Sequence, residues 1–227
     1  MRSAPENIRE LHSRVMTSNY VFGRYVHHDP RSRNFVAELE SVVAPRTWPL
    51  NPGAQVLDQG QIGSCTANAV VDALNCTAGQ PFRDETVAQR LYHVETVNEG
   101  QPWPPNDPGG SGLEVCKAAV QLGLIKSYGH VFSASQALQA LMLRPLITGI
   151  PWFSSFDHPN ATGVVKLTST ATIRGGHEIA VVGWDGKRVW FQNSWGPGWG
   201  ASGRFAMSLS DWQHCLDQQG DVTVPVP

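Results

Sequence analysis

The sequence predicts an α+β fold in two lobes, a helical N-terminal lobe and a strand-rich C-terminal lobe with a cleft between them. Three observations lead there. Segments between about 56 and 143 carry apolar residues at helical spacing, and segments from about 144 to 227 read as short strands. Glycine and proline supply 22 and 16 of the 227 residues. That share exceeds the roughly 12% usual in globular chains and calls for many turns. Helices first and strands second is the α+β pattern, and a cleft between two layers is a common place for a site.

Taken in order, residues 1–44 stand apart as an N-terminal extension. A weak helical pattern over 1–16 (Ile8, Leu11, Val15) leads into 22–35, which is basic, aromatic and without period, and reads as an extended arm. Asp58-Gln59-Gly60-Gln61-Ile62-Gly63-Ser64 is a turn-rich loop. Residues 65–76, free of glycine and proline, then repeat Ala67, Val70, Val71 and Leu74 as a first helix. Val87, Leu91 and Val94 give a second over 85–98. Ser111-Gly112-Leu113-Glu114 has capping-box form and opens a third through Leu122, stopped at Gly123. Ser133 or Ser135 caps a fourth, to Leu143, ended by Pro145. Strands follow at 146–152, 163–167, 178–184, 188–193, 203–208 and 221–226, with turns such as Asp185-Gly186 between them.

Composition narrows the function. With 17 basic and 19 acidic residues the net charge is −2 and there is no basic run, so nucleic acid is not the expected partner. No apolar stretch approaches the roughly 18 residues a membrane helix needs. The first residues have no apolar centre of the secretory kind, so the default expectation is a cytoplasmic chain. Cys65, Cys76, Cys116 and Cys215 form no CxxC pair, which argues against zinc and against a dense disulfide framework. His27 and His28 lack partners at ligand spacing, so neither a metal nor a cofactor is expected.

One cysteine stands out. A thiol with an ordinary pKa near 8.5 is mostly protonated at neutral pH, so a nucleophilic cysteine needs something to depress that value. Cys65 follows a glycine-rich loop and opens a helix, where free backbone N–H groups and the helix dipole favour a negative sulfur. A histidine nearby would complete an ion pair.

The segment from Asp58 to Ala67 resembles the active-site segment of papain-like cysteine peptidases, with Gln59 six residues before the cysteine. Gly175-Gly176-His177-Glu178-Ile179-Ala180-Val181-Val182-Gly183-Trp184 resembles the family's histidine strand. Gln192-Asn193-Ser194-Trp195-Gly196-Pro197-Gly198-Trp199-Gly200 resembles its asparagine signature. The order Cys, His, Asn is that of the family, and the resemblance covers about 45–227. The interval from Cys65 to His177 is shorter than the roughly 130–150 residues quoted for papain relatives, as a trimmed strand lobe would give.

The resemblance implies a papain-like fold, with a helical lobe about 56–143 and an antiparallel, barrel-like lobe about 144–227. It implies a cysteine peptidase that takes peptide or protein substrates. Cys65 would be the nucleophile, His177 the general acid and base, and Asn193 the group that fixes the imidazole. Gln59 would be an oxyanion donor beside the Cys65 N–H. Gly109 and Gly110 match the glycine pair that binds substrate backbone. Gly176 and Trp195 complete the expected substrate-binding set, Trp195 by shielding the His–Asn contact. Two small residues before His177 suggest an open, apolar subsite, with 150–152 as a further edge.

Some positions depart from the pattern. Ile62 stands where many members have a disulfide cysteine, and Thr66 where a tryptophan is usual. Glu178 follows the histidine where a small residue is common; on a strand it is expected to point away from the histidine side, yet near enough for a carboxylate to be able to raise the imidazole pKa. Residues 1–44 are shorter than the usual inhibitory prosegments. They are expected to occupy or flank the cleft, with a blocking role and a purely structural one both open. An acyltransferase or amidase on the same constellation, and a non-catalytic binding module, are the alternatives to peptide hydrolysis.

Overall fold

The computed structural model describes residues 20–227, so the weak helical pattern over 1–16 lies outside the described residues. Among the described residues there are five α-helices: α1 (Cys65–Asn75), α2 (Glu85–Asn98), α3 (Gly112–Gln121), α4 (Ala134–Leu141) and α5 (Leu209–Asp217). Four of them start where a short polar side chain accepts the first free N–H groups. Asp84 caps α2, Ser111 α3, Ser133 α4 and Ser208 α5. The strands are β1 (Arg46–Thr47), β2 (Ser127–Val131), β3 (Leu146–Phe153), β4 (Ile173–Trp184), β5 (Arg188–Gln192), β6 (Arg204–Ser208) and β7 (Asp221–Val226).

The strands make one antiparallel sheet in the order β2-β7-β3-β4-β5-β6, with β1 added to β4. The expected barrel-like lobe is therefore an open sheet. β4 is its seam, because its alternate residues enter different cores. Ile179 and Val181 join the strand-lobe core around Trp152, Phe156, Phe191, Phe205 and Trp212. Ala180 and Val182 join the helical core with Val70, Leu74, Leu91, Tyr92 and Val115. His177 and Glu178, neighbours on one strand, thus face opposite lobes.

Several expectations are corrected. Residues 163–167 do not form a strand, since Val164 makes only a single bridge, to Ala206, and Gly163 has a positive φ of 76° that breaks extended backbone. The strand carrying His177 starts earlier than 178, at Ile173. α5 and β2 were not visible in the apolar pattern. Both β2 and α4 lie before residue 144 yet pack with the strand lobe, β2 through β7 and α4 through the core that holds Trp152. All four cysteines are buried and free.

The arm is ordered along both lobes. Ala37 N–H donates to the His130 carbonyl and His130 N–H to the Phe35 carbonyl, which adds the arm to the edge of β2. Upstream of that edge it enters the space between the lobes.

Candidate active site

Cys65 is the first residue of α1, and the loop before it is fixed from two sides. Gly63 N–H donates to both carboxylate oxygens of Asp107, at 3.1 and 2.9 Å. Gln59 N–H donates to the Ser194 carbonyl at 2.9 Å, and Gly196 N–H to the Leu57 carbonyl at 2.9 Å. These last two bonds tie the cysteine loop to the asparagine loop across the lobes. The backbone N–H of Glu178, the residue after His177, faces the sulfur and favours its negative form, which sets Cys65 against β4.

His177 Nε2 lies 2.8 Å from Asn193 Oδ1. That oxygen also accepts from the Ser194 N–H at 2.9 Å, which fixes the orientation of the amide. An acceptor opposite Nε2 requires Nε2 to carry the proton, so the neutral ring keeps a bare lone pair on Nδ1. Nδ1 is fully enclosed and has no hydrogen-bond partner among the described residues. Trp195 stacks on the imidazole at 4.7 Å with 23° between planes, and Trp152 meets it edge-on at 5.1 Å. The stacked tryptophan, the edge contact and the Asn193 bond together hold the ring in position.

The Gln59 side-chain carbonyl accepts from Ser194 Oγ at 2.7 Å. Its amide Nε2 donates to the Ile62 carbonyl at 2.9 Å and reaches the Val21 carbonyl of the arm at 3.4 Å. Where an oxyanion donor is expected, an arm carbonyl stands in front of it.

The arm runs directly over these groups. Tyr20 stacks on Trp195 at 4.2 Å, and Phe22 meets His177 edge-on at 5.9 Å. The Gly23 N–H points at the Cys65 sulfur. Gly110 N–H donates to the Gly23 carbonyl at 2.6 Å, Tyr25 N–H to the Gly110 carbonyl at 2.9 Å, and Arg24 N–H to the Gly176 carbonyl at 3.0 Å. A Cβ on Gly109 would overlap the Gly23 carbonyl, and one on Gly176 the Arg24 carbonyl. Three glycines singled out from the sequence therefore line the backbone of one extended segment, which belongs to the chain itself.

Covering the site changes its electrostatics. Burial pushes the Cys65 thiol up to about 12, and the backbone N–H groups of Glu178 and Gly23 offset only part of that. Burial pulls His177 down to about 4 against a smaller opposing effect of its bond to Asn193. The expected helix-terminus thiolate is absent here, and Glu178, which points away from the histidine face as its strand position predicts, gives the imidazole no upward pull. With both side chains completely buried, desolvation of the charged forms outweighs the N–H donors, and the pair rests as neutral thiol and neutral imidazole.

The pocket beside the sulfur is a second correction. It is not apolar. Arg24 enters it with only 3% of its surface exposed, and meets Glu178, Asp221 and the Gln219 carbonyl. Ile150 and Trp152 face the strand-lobe core instead. The basic and aromatic run 22–25 was the only sequence signal for this arrangement.

The comparisons with known proteins agree with the geometry. The chain matches the description "Papain family cysteine protease" over residues 76–224, a span that includes His177 and Asn193 and starts after Cys65. Cathepsin B-like CP1 of Giardia intestinalis is 29% identical over 132 residues, 55% of this chain and 41% of that protein, so the chain spans well under half of that relative's length. Xylellain, a cysteine protease from Xylella fastidiosa, superposes with a TM-score of 0.73 at 21% identity, covering 94% of this chain and 99% of that one. Procathepsin L2 from Tenebrio molitor larval midgut gives 0.62 at 19% identity over 92% and 79%. The Amb a 11 cysteine protease from ragweed, in its proform, gives 0.59 at 17% identity over 84% and 68%. The structural likenesses speak for the fold, and the sequence match settles the family: the chain belongs to the papain family of cysteine proteases.

Proposed function

We propose that the chain is a cysteine peptidase whose resting cleft is blocked by residues 20–25. In the open enzyme Cys65 Sγ gives its proton to His177 Nδ1 and attacks the scissile carbonyl carbon. The imidazolium then protonates the leaving amine, and an acyl thioester remains on Cys65. Water, deprotonated by His177, releases the acid and regenerates the thiol. Asn193 holds the ring and its tautomer throughout, and Gln59 Nε2 with the Cys65 N–H meets the developing oxyanion.

The observation that carries this reading is the tautomer. Asn193 leaves the lone pair of His177 on Nδ1, and the sulfur sits at the start of α1 beside the same stretch of β4. The arm survives in place for a simple reason. It presents the Gly23 N–H to the sulfur, and its Gly23 carbonyl is bonded away to Gly110.

Labelling by a thiol-directed epoxide, read by mass spectrometry alongside hydrolysis of a peptide library, tests the proposal. Modification confined to Cys65, lost in Cys65→Ala and weakened in His177→Ala, is the expected result. Equal labelling of all four cysteines with no peptide cleaved, even after the arm is displaced, would leave a binding module in its place.

A further inference from the structure

Glu178, Gly149 and Asp221 form one row across three strands. Gly149 of β3 pairs with Glu178 of β4 on one side and with Asp221 of β7 on the other. Residues paired in this way point to the same face of a sheet. Two carboxylates therefore flank a position with no side chain, and the guanidinium of Arg24 lies over that gap. A Cβ on Gly149 would overlap Arg24 Nε and crowd Glu178 Oε2. Gly112, at the start of α3, clears the other side, since a Cβ there would come within 2.9 Å of Asp221 Oδ1 and 3.0 Å of Glu178 Oε1.

The acceptors suit a planar fork. Arg24 Nη2 donates to Asp221 Oδ2 and, at 2.8 Å, to the Gln219 carbonyl, while Nε lies 3.8 Å from Glu178 Oε2. Gln219 holds a positive φ of 68°, unusual for a residue with a side chain, and its carbonyl is turned to the guanidinium. A single ammonium cannot reach acceptors spread around such a plane. Glu178 is completely buried, and among the described residues neither of its oxygens has a hydrogen-bond partner. With Arg24 withdrawn, the row keeps two carboxylates facing an open cleft and no cation, an arrangement that favours a replacement.

The backbone beside the pocket is held by Gly176 and Gly110, one residue from the sulfur. Taking the peptidase reading as given, we propose that this row is a guanidinium-selective subsite, so that substrates carry an arginine that enters it, and that Arg24 competes for the same place. The selectivity resides in Asp221, Glu178 and the Gln219 carbonyl, and Gly149 sets the depth.

Two measurements on the full-length chain test it. In Arg24→Ala, n-propylguanidinium should raise the melting temperature, with n-butylammonium giving less than half that shift. The effect should be absent in wild type and in Arg24→Ala/Asp221→Asn. Arg24→Met, which keeps the packing of the stem, serves as the second variant if the alanine chain folds poorly. Hydrolysis by the same variants is then measured on peptides in which one arginine is walked through each position against leucine. One position should favour arginine at least tenfold in kcat/KM, and Asp221→Asn should reduce that to about twofold. A guanidinium-specific shift without hydrolysis of any peptide supports the subsite and refutes the peptidase reading. Hydrolysis with leucine equal to arginine at every position, or no guanidinium-specific shift, refutes the subsite.

Discussion

A methyl group at position 23 has nowhere to go, because a Cβ there would lie inside the envelope of the Gly63 carbonyl, in the loop that Asp107 pins. That backbone cannot retreat as a flexible side chain would, so the arm must lift. Gly23→Ala in the full chain is therefore expected to increase peptide hydrolysis at least tenfold, and a steady-state assay against wild type decides it. An unchanged rate would mean that the arm is not the block. Gln59→Ala, made in the Gly23→Ala chain, removes the proposed oxyanion donor and should lower kcat by about 100- to 1000-fold with little change in KM. At this scale the sequence was legible where chemistry demands a residue type in a fixed local frame: Gln59, Cys65, His177 and Asn193 each sit in a short motif. The arginine pocket was not, since Glu178, Gly149 and Asp221 become neighbours only through the register of three strands that are distant in the chain.

The arm behaves as an element with several anchors: the backbone bonds of Arg24 and Tyr25, the bonds of Phe35 and Ala37 to His130, and that of Glu40 to the Gln139 carbonyl at 3.3 Å. Its effect on chemistry is read through Cys65. With the thiol held at about 12, alkylation by iodoacetamide should be slow at pH 7 in wild type and climb only in strong alkali. In Gly23→Ala the profile should move to neutral pH, as water returns and the ion pair with His177 becomes accessible. Identical profiles for the two chains would dissociate the arm from the thiol. Among the elements, α1 to α4 were readable because each combines an apolar stripe with a cap or a stop. α5 was missed because Trp212 and Cys215 are its only buried residues, too few to show a period. β2 was missed because Ser127-Tyr128-Gly129-His130-Val131 does not alternate, its burial rising along the strand as it passes beneath the arm.

For the molecule as a whole, the buried ionisable groups pull stability in opposite directions with pH. His177, held at about 4 by burial, takes up a proton more readily in the unfolded chain, whose imidazole titrates near the ordinary 6.5. Its contribution is complete above 6.5 and is lost as pH falls towards 4. Glu95 is the reverse case. It joins three helices, accepting from Thr66 Oγ1 of α1 at 2.7 Å and from the Ser111 N–H at the start of α3 at 3.0 Å. Burial pushes its carboxyl up to about 8, so the folded chain keeps a proton that the unfolded chain releases above 4.5. That contribution is present at low pH and disappears as pH rises from 4.5 to 8. Each limb amounts to a few kcal/mol. The melting temperature should accordingly peak between about pH 5 and 6.5. His177→Gln should flatten the acid side of the curve and Glu95→Gln the alkaline side, each leaving the other side in place. A scan of both variants by calorimetry from pH 4 to 9 checks this, and a wild-type curve that is flat over that range would contradict the burial assigned to both groups. The acid limb has a functional side as well. The charged His177 that destabilises the covered state is the same imidazolium that an open cleft would hydrate, so mild acid should loosen the arm before it unfolds the lobes.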